Sequence, residues 1–182
     1  MRVRCISYSS SENMLAGQNV VLRAWREDDI PVLMRLRNDV ALQTQLMTQP
    51  RPNSRVRVTQ WLKDWSARTD GVFFVVAATD DDQVFGYVQL ANMDVMHGRG
   101  DLGICLDPAV HGHGVADQTM ELLQSYVIQV FGLRKILLHV LCSNLRAIAF
   151  YEKQGFERVG VLREHVFLQG SHVDVLLMEK HL

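Results

Sequence analysis

The stretch His111-Gly112-His113-Gly114-Val115-Ala116 restricts this chain more than any other. It stands between an apolar run ending at Leu106 and a long amphipathic pattern opening at Val115, so a strand must hand over to a helix through it. Two glycines one residue apart let the backbone curl tightly and leave N–H groups unpaired. The helix that follows aims the positive end of its dipole at the same spot. Backbone donors joined to a helix N-terminus make an anion site, most often one for phosphate.

The flanking pattern describes one α/β domain. Val20 to Trp25 reads as a first strand, and Arg26-Glu27-Asp28-Asp29 leads into a helix with Ile30, Leu33, Met34 and Leu36 inside. Residues 38–53, with Pro50 and Pro52, read as loop or short helix, and a second amphipathic helix covers about 54–67. Val72 to Ala78 is a continuous apolar run, expected to be a strand buried on both faces. Asp80-Asp81-Asp82 turns it into a strand from Val84 to Leu90, and another runs from Asp101 to Leu106. The helix after the glycine loop, about 115–131, has Met120, Leu122, Leu123, Tyr126, Val127, Val130 and Phe131 on one side and Gly132 as its left-handed cap. A β run from Lys135 to Leu141, a short helix from about Leu145 to Lys153, and strands near 156–168 and 173–180 complete the chain. The expected fold is a mixed, mostly antiparallel sheet of about seven strands with helices on both faces.

Composition narrows the function classes. At 182 residues there is room for one well-packed domain, read here as 17–182 behind an N-terminal extension, 1–16, in which Met14 is an alternative start. A formal net charge of -1 and a pI near 6.6 give no field favouring nucleic acid or a membrane surface. No apolar run approaches the roughly 18 residues of a membrane helix, and the basic start lacks the apolar segment of a secretory signal. Cys5, Cys105 and Cys142 have no metal spacing, and two of them lie in apolar strand patterns. Free thiols in a reducing cytoplasm are expected.

A second block carries the chemistry: Asn144-Leu-Arg-Ala147-Ile-Ala-Phe150-Tyr151-Glu-Lys153-Gln-Gly155-Phe156. Asn144 and Tyr151 are seven apart, so on a helix they share a face about 10.5 Å from each other, where one extended ligand meets both. The plainer alternative makes Asn144 an N-cap and Tyr151 a core residue.

The two blocks together resemble the GNAT family of acyl-CoA-dependent N-acetyltransferases, over roughly residues 18–180. The family's phosphate loop usually reads Gln/Arg-x-x-Gly-x-Gly/Ala. Here His111 replaces the Gln or Arg, while Gly112, Gly114 and Ala116 match. Its Asn-x-x-Ala…Tyr-x-Lys-x-Gly-Phe block is met by Asn144, Ala147, Tyr151, Lys153, Gly155 and Phe156. The resemblance implies acetyl-CoA as acetyl donor. Backbone N–H groups of His111, Gly112, His113, Gly114, Val115 and Ala116 would hold its pyrophosphate. The strand Ile104-Cys105-Leu106 would pair with the pantetheine arm and offer an oxyanion donor to the thioester carbonyl. Asn144 would bond the pantetheine. Tyr151, protonated at neutral pH, would stand near the sulfur as general acid.

The base is left open among Asp101, which opens the cofactor-binding strand, His97, Asp94 and water. Asp101 is equally read as the partner of Arg99 or of a neighbouring strand. No metal is expected: His111, His113 and His97 lack an acidic or cysteine partner at ligand spacing. A dinucleotide loop is excluded by the missing third glycine and by the motif's place after the fourth strand.

Arg37, Asn38 and Arg51, with Arg55 and Arg57, fall where the family walls the acceptor. Arginine suits an anionic acceptor, which points to an amino-sugar nucleotide. The alternatives are a protein N-terminus of ribosomal-protein type, a polyamine, and an acyl-CoA sensor without turnover. The resemblance also permits a homodimer.

Overall fold

Period-two strands and glycine-punctuated helices resolve into a single sheet over residues 15–182, the part of the chain that the computed structural model describes. In chain order the elements are β1 (Leu15–Ala16), β2 (Val20–Arg23), α1 (Ile30–Asn38), α2 (Val40–Gln45), α3 (Arg55–Ala67), β3 (Val72–Ala78), β4 (Val84–Asp94), β5 (Arg99–Leu106), α4 (Val115–Phe131), β6 (Lys135–Leu141), α5 (Leu145–Lys153), β7 (Glu157–Leu168) and β8 (Ser171–His181). The strands lie in the order β1-β2-β3-β4-β5-β6-β8-β7. All neighbours are antiparallel except β5 and β6, which run parallel. The sheet exceeds the expected seven strands by the two-residue β1, whose Leu15 and Ala16 pair with Leu22 and Val21. Those two residues had been assigned to the N-terminal extension. Residues 1–14, with Cys5 and Met14, lie outside the described residues.

Alternation in the strands divides the core in two. Ile30, Leu33 and Leu36 of α1 and Val58 and Leu62 of α3 pack on Val21, Val75, Ala77, Tyr87 and Cys105. Met120, Leu123 and Val127 of α4 and Ile148 of α5 cover Leu22, Val76, Val88, Leu90, Leu102, Leu106, Ile136 and Leu138 on the other face. β3 shows both sides within two residues: Phe73 meets Trp61 and Trp65 of α3, whereas Phe74 meets Tyr126 of α4. Full burial on both faces holds for Val75 to Ala78 and gives way to partial burial at Val72 to Phe74. On α4 the buried stripe ends at Val127, and Val130 in the last turn is 48% exposed, not inside as expected.

Helix ends follow their local chemistry. Ser54 caps α3 by accepting from the Arg57 N–H, and Gly132 (φ 63°) closes α4 in the left-handed conformation that only glycine adopts cheaply. Near the start of the sheet, Arg23 is buried and held by Asp29 at 2.8 Å and Asp82 at 2.7 Å. The triple-aspartate turn therefore reaches back to neutralise a charge on β2.

One feature of the sheet positions everything functional. β5 pairs with β6 only at Arg99, Gly100 and Asp101, against Lys135, Ile136 and Leu137. Beyond that point β5 stays with β4 as far as Leu106 and β6 stays with β8 as far as Leu141, so the sheet splits into two leaves.

Candidate active site

The split leaves one edge of β5 without a partner, and the backbone phase identifies the groups exposed there. The Asp107 N–H donates to the Phe85 carbonyl on β4 (2.7 Å), and the Gly98 carbonyl accepts from Lys135 N–H at the start of β6 (3.0 Å). Because residues alternate sides along a strand, odd-numbered residues of β5 address β4 and even-numbered ones address β6. The last rung of the β5–β6 ladder uses the Leu102 N–H, so the Leu102 C=O and the N–H and C=O groups of Ile104 and Leu106 turn into the gap. Cys105, between two of them, faces Tyr87 of β4 with its backbone. Its thiol lies buried on the α1/α3 side, where loss of solvent pushes it up to about 12. Of the three expected residues, Ile104 and Leu106 thus have backbone groups in the gap. Cys105 contributes no gap-facing group, since a strand cannot present three consecutive residues to one neighbour.

β5 ends in the glycine loop. Asp107 accepts from the Ala109 N–H (3.0 Å) and pairs with Arg35 at 2.5 Å, which together hold its carboxyl below the usual carboxylate range. His111 and His113 N–H groups close turns on the Pro108 and Val110 carbonyls at 3.2 and 3.4 Å. Gly112 and Gly114 have φ of 84° and 75°, and a Cβ on either would meet nothing within 4 Å. The N–H groups of Gly112, Gly114, Val115, Ala116 and Asp117 have no acceptor among the described residues and gather at the start of α4. Of the six residues expected to hold pyrophosphate, the two histidines thus spend their amides internally and the other four keep theirs free. The one acid in that first turn is diverted. Asp117 accepts from Gln154 at 2.6 Å and Lys153 at 3.3 Å, tying the start of α4 to the end of α5 and sparing an anion its repulsion.

Asn144 is an N-cap: its Oδ1 accepts from Ala147 N–H at 3.1 Å, which occupies that amide and leaves the Asn144 amide nitrogen without a partner among the described residues. Tyr151, half-buried two turns on, packs edge-on against Phe150 and Phe156. Its hydroxyl has no hydrogen-bond partner among the described residues, and burial pushes it up to about 12. Arg146, in the first turn of α5, was not singled out from sequence. Loss of solvent and, after it, the charge of Arg146 hold His111 below the ordinary imidazole range, so a guanidinium stands beside the glycine loop.

Among the base candidates, Asp101 occupies the last paired position of β5, and its carboxylate accepts from Asn92 Nδ2 at 2.8 Å. Arg99 instead faces Asp94 at 3.7 Å. Asp94 also accepts from the His97 N–H (3.0 Å), which places both at the β4–β5 turn, at the closed end of the split. That turn is far along the strand from His111 and His113, and the described residues contain no cluster of three or more metal-ligating side chains. Arg37, Asn38 and Arg51 are gathered by Asn53. Its amide donates to the Arg37 and Arg51 carbonyls (2.9 and 2.6 Å), and it exchanges bonds with Asn38. The Arg37 guanidinium lies 4.1 Å over the Trp61 ring. No helix among the described residues is long and apolar enough to cross a membrane.

Comparison with known proteins identifies the family. Residues 19–157 match the family model described as "Acetyltransferase (GNAT) domain". The spermidine N(1)-acetyltransferase of Vibrio cholerae is 26% identical over 91% of this chain and 97% of its own. The enzyme of the same name from Escherichia coli K12 is 27% identical over 91% and 87%. The crystal structure of the Vibrio cholerae spermidine acetyltransferase with CoA and spermine superposes with a TM-score of 0.83 at 25% identity, over 91% of this chain and 96% of that one. The ribosomal L7/L12 alpha-N-protein acetyltransferase RimL with coenzyme A shares the fold, with a TM-score of 0.83 at 16% identity over 93% and 98%. A split sheet whose free edge leads into a glycine loop and helix N-terminus, together with a family match over most of its length, makes this chain a member of the GNAT acetyltransferases.

Proposed function

We propose that the protein transfers the acetyl group of acetyl-CoA to a primary amine by direct attack on the thioester. The observation that carries this is the unpaired edge of β5, which runs straight into the free amides at the start of α4. An extended amide-bearing arm completes the edge through Leu102, Ile104 and Leu106, while its pyrophosphate meets the N–H groups of Gly112, Gly114, Val115 and Ala116, with Arg146 alongside. The Asn144 amide nitrogen and the Tyr151 hydroxyl then lie along the remainder of the arm.

A thioester needs no covalent enzyme intermediate. As the amine adds, negative charge grows on the carbonyl oxygen, which a gap-facing N–H of β5 stabilises, and then on the sulfur. Transfer of a proton from Tyr151, at about 12, to a thiolate whose conjugate acid lies near 8.5 runs uphill. Tyr151 therefore donates a hydrogen bond to the departing sulfur and relays to it the proton shed by the attacking nitrogen.

The relatives' named acceptors are spermidine and a ribosomal protein, not the amino-sugar nucleotide that the arginines suggested. Two of those arginines are engaged within the protein: Arg37 is stacked on Trp61, and Arg55 faces Glu27 at 4.0 Å. Asp101, by contrast, has a neutral partner and keeps its charge for a cation. We therefore place a small aliphatic polyamine first and a protein N-terminus second. A sensor without turnover would have no use for an unpartnered Tyr151 hydroxyl. The free thiols of Cys105 and Cys142 accord with a reducing cytoplasm, and exposed Val159, Val161 and Phe167 on β7 offer a surface for a homodimer.

The test is thiol release from acetyl-CoA with spermidine, N-terminal peptides and an amino-sugar nucleotide. Spermidine is expected to give the highest kcat/KM, and Tyr151→Phe to lower kcat about 10²–10⁴-fold with acetyl-CoA affinity kept. Absence of amine-stimulated release with every acceptor would sink the reading.

A further inference from the structure

β6 carries one polar side chain at its centre. Ile136, Leu138 and Val140 turn under α4 and are buried, whereas His139 is exposed although its strand lies inside the sheet. The split accounts for this, since β5 has left the side of β6 by the time His139 is reached. Continuing the register of Asp101 with Leu137 sets His139 level with Gly103 on the opposite bank. Gly103 is the position without a side chain between Asp101 and Cys105, and a Cβ there would strike the Gln89 side chain at 2.9 Å. On the α1/α3 side, therefore, β5 presents only backbone at this level, with the Gln89 side chain of β4 lying over it. The gap-facing Leu102 C=O and Ile104 N–H flank Gly103, and an imidazole stands across from it.

A second imidazole shares the place. β7 breaks register between Leu162 and Val166, with Glu164 at φ 49°, and this bulge brings the His165 ring parallel to His139 (11°) at a centroid distance of 6.5 Å. Other titratable and charged groups on that face are already engaged or stand further off. Asp101 on β5, bonded to Asn92, is the carboxylate already assigned to the acceptor's cation, Lys135 on β6 pairs with Glu179 on β8, and His181 lies 3.7 Å from the same Glu179. Arg37 of α1, Asp39 and Asp107 act on Cys105, further along β5. The ring nitrogens of His139 have no hydrogen-bond partner among the described residues.

Resting on the acetyl-transfer reading, we propose that His139 is the catalytic base, receiving the amine's proton where the acceptor meets the gap from the α1/α3 side. Imidazole exchanges protons near neutrality, which the task requires. The ammonium of the acceptor gives one proton to a ring nitrogen of His139, and the freed lone pair forms the N–C bond. The C–S bond then breaks with its electron pair going to sulfur. The remaining excess proton on nitrogen passes through the Tyr151 hydroxyl to the thiolate, and the proton on His139 leaves to water.

The experiment follows spermidine acetylation by the whole chain and by His139→Gln, His139→Ala, His165→Gln and His172→Gln. The His139 variants are expected to keep acetyl-CoA affinity and melting temperature while kcat falls about 10²–10⁴-fold. The loss should narrow as pH rises and the amine deprotonates unaided, and added imidazole should restore part of the rate to His139→Ala. His172→Gln serves as the surface control and should match the unaltered chain. Retention of kcat within threefold in both His139 variants overturns the assignment, as does a loss confined to His165→Gln. If the unaltered chain acetylates no amine, the function itself falls and the base with it, an outcome distinct from either of those.

Discussion

At the scale of single residues, Tyr151 shows how environment sets role. Its ring is packed between Phe150 and Phe156, its hydroxyl has no protein acceptor among the described residues, and burial pushes it up to about 12. A group raised in this way stays protonated well past neutrality, so the donor role proposed for it should persist as pH climbs. The ratio of acetylation rates between the parent chain and Tyr151→Phe should stay constant from pH 7 to 10. A ratio collapsing toward one below pH 9 would contradict the assignment. Asn144, Tyr151 and the paired glycines were legible in the sequence because their meaning is local: an N-cap, a helical face and two positive φ angles are written within a few residues. The partner of Asp101, the approach of Arg146 to the glycine loop and the exposure of His139 were not. Each depends on which strands or helices lie side by side, and spacing along the chain does not encode that.

At the scale of elements, α4, β6 and α5 begin and end where apolar periodicity and glycine caps place them. Strand limits were less readable. β4 runs on to Asp94, and β5 opens at Arg99, two residues before the sequence pattern does. A strand extends as far as its neighbour offers hydrogen bonds, whatever its own polarity. The join between β2 and the β3–β4 turn is the element-scale device most exposed to mutation. Arg23 and Asp29 are each 2% exposed and bonded through two nitrogen–oxygen contacts of 2.8 Å. Asp29→Asn strands a buried guanidinium and should cost about 3 kcal/mol, the low end for a broken buried pair because Asp82 stays. Asp82→Asn, at a site 44% exposed, should cost under about 1 kcal/mol. Urea denaturation decides between them: a lower midpoint at unchanged slope for Asp29→Asn is expected, and equal losses in the two variants would refute the ranking.

At the scale of the whole molecule, one apolar core runs from β2 beneath α4 to β8, yet the backbone ladder above it is interrupted. Ile104 and Leu106 in the free protein hold amide hydrogens facing the opening between the leaves. They should exchange with solvent quickly, while their odd-numbered neighbours, bonded to β4, exchange slowly. Acetyl-CoA at 100 times its dissociation constant should slow those two and raise stability by about 2.7 kcal/mol, read as an upward shift in melting temperature. Protection confined to the glycine loop would mean that the arm does not lie along β5.

The three-pair join between β5 and β6 acquires a mechanical meaning from this. A sheet stitched over so short a length would let its two leaves pivot about the join, and on the proposed reading the donor substrate would act as a removable ninth strand that locks them. Product release, which leaves free CoA still wedged between the leaves, would then become the step at which the join must give.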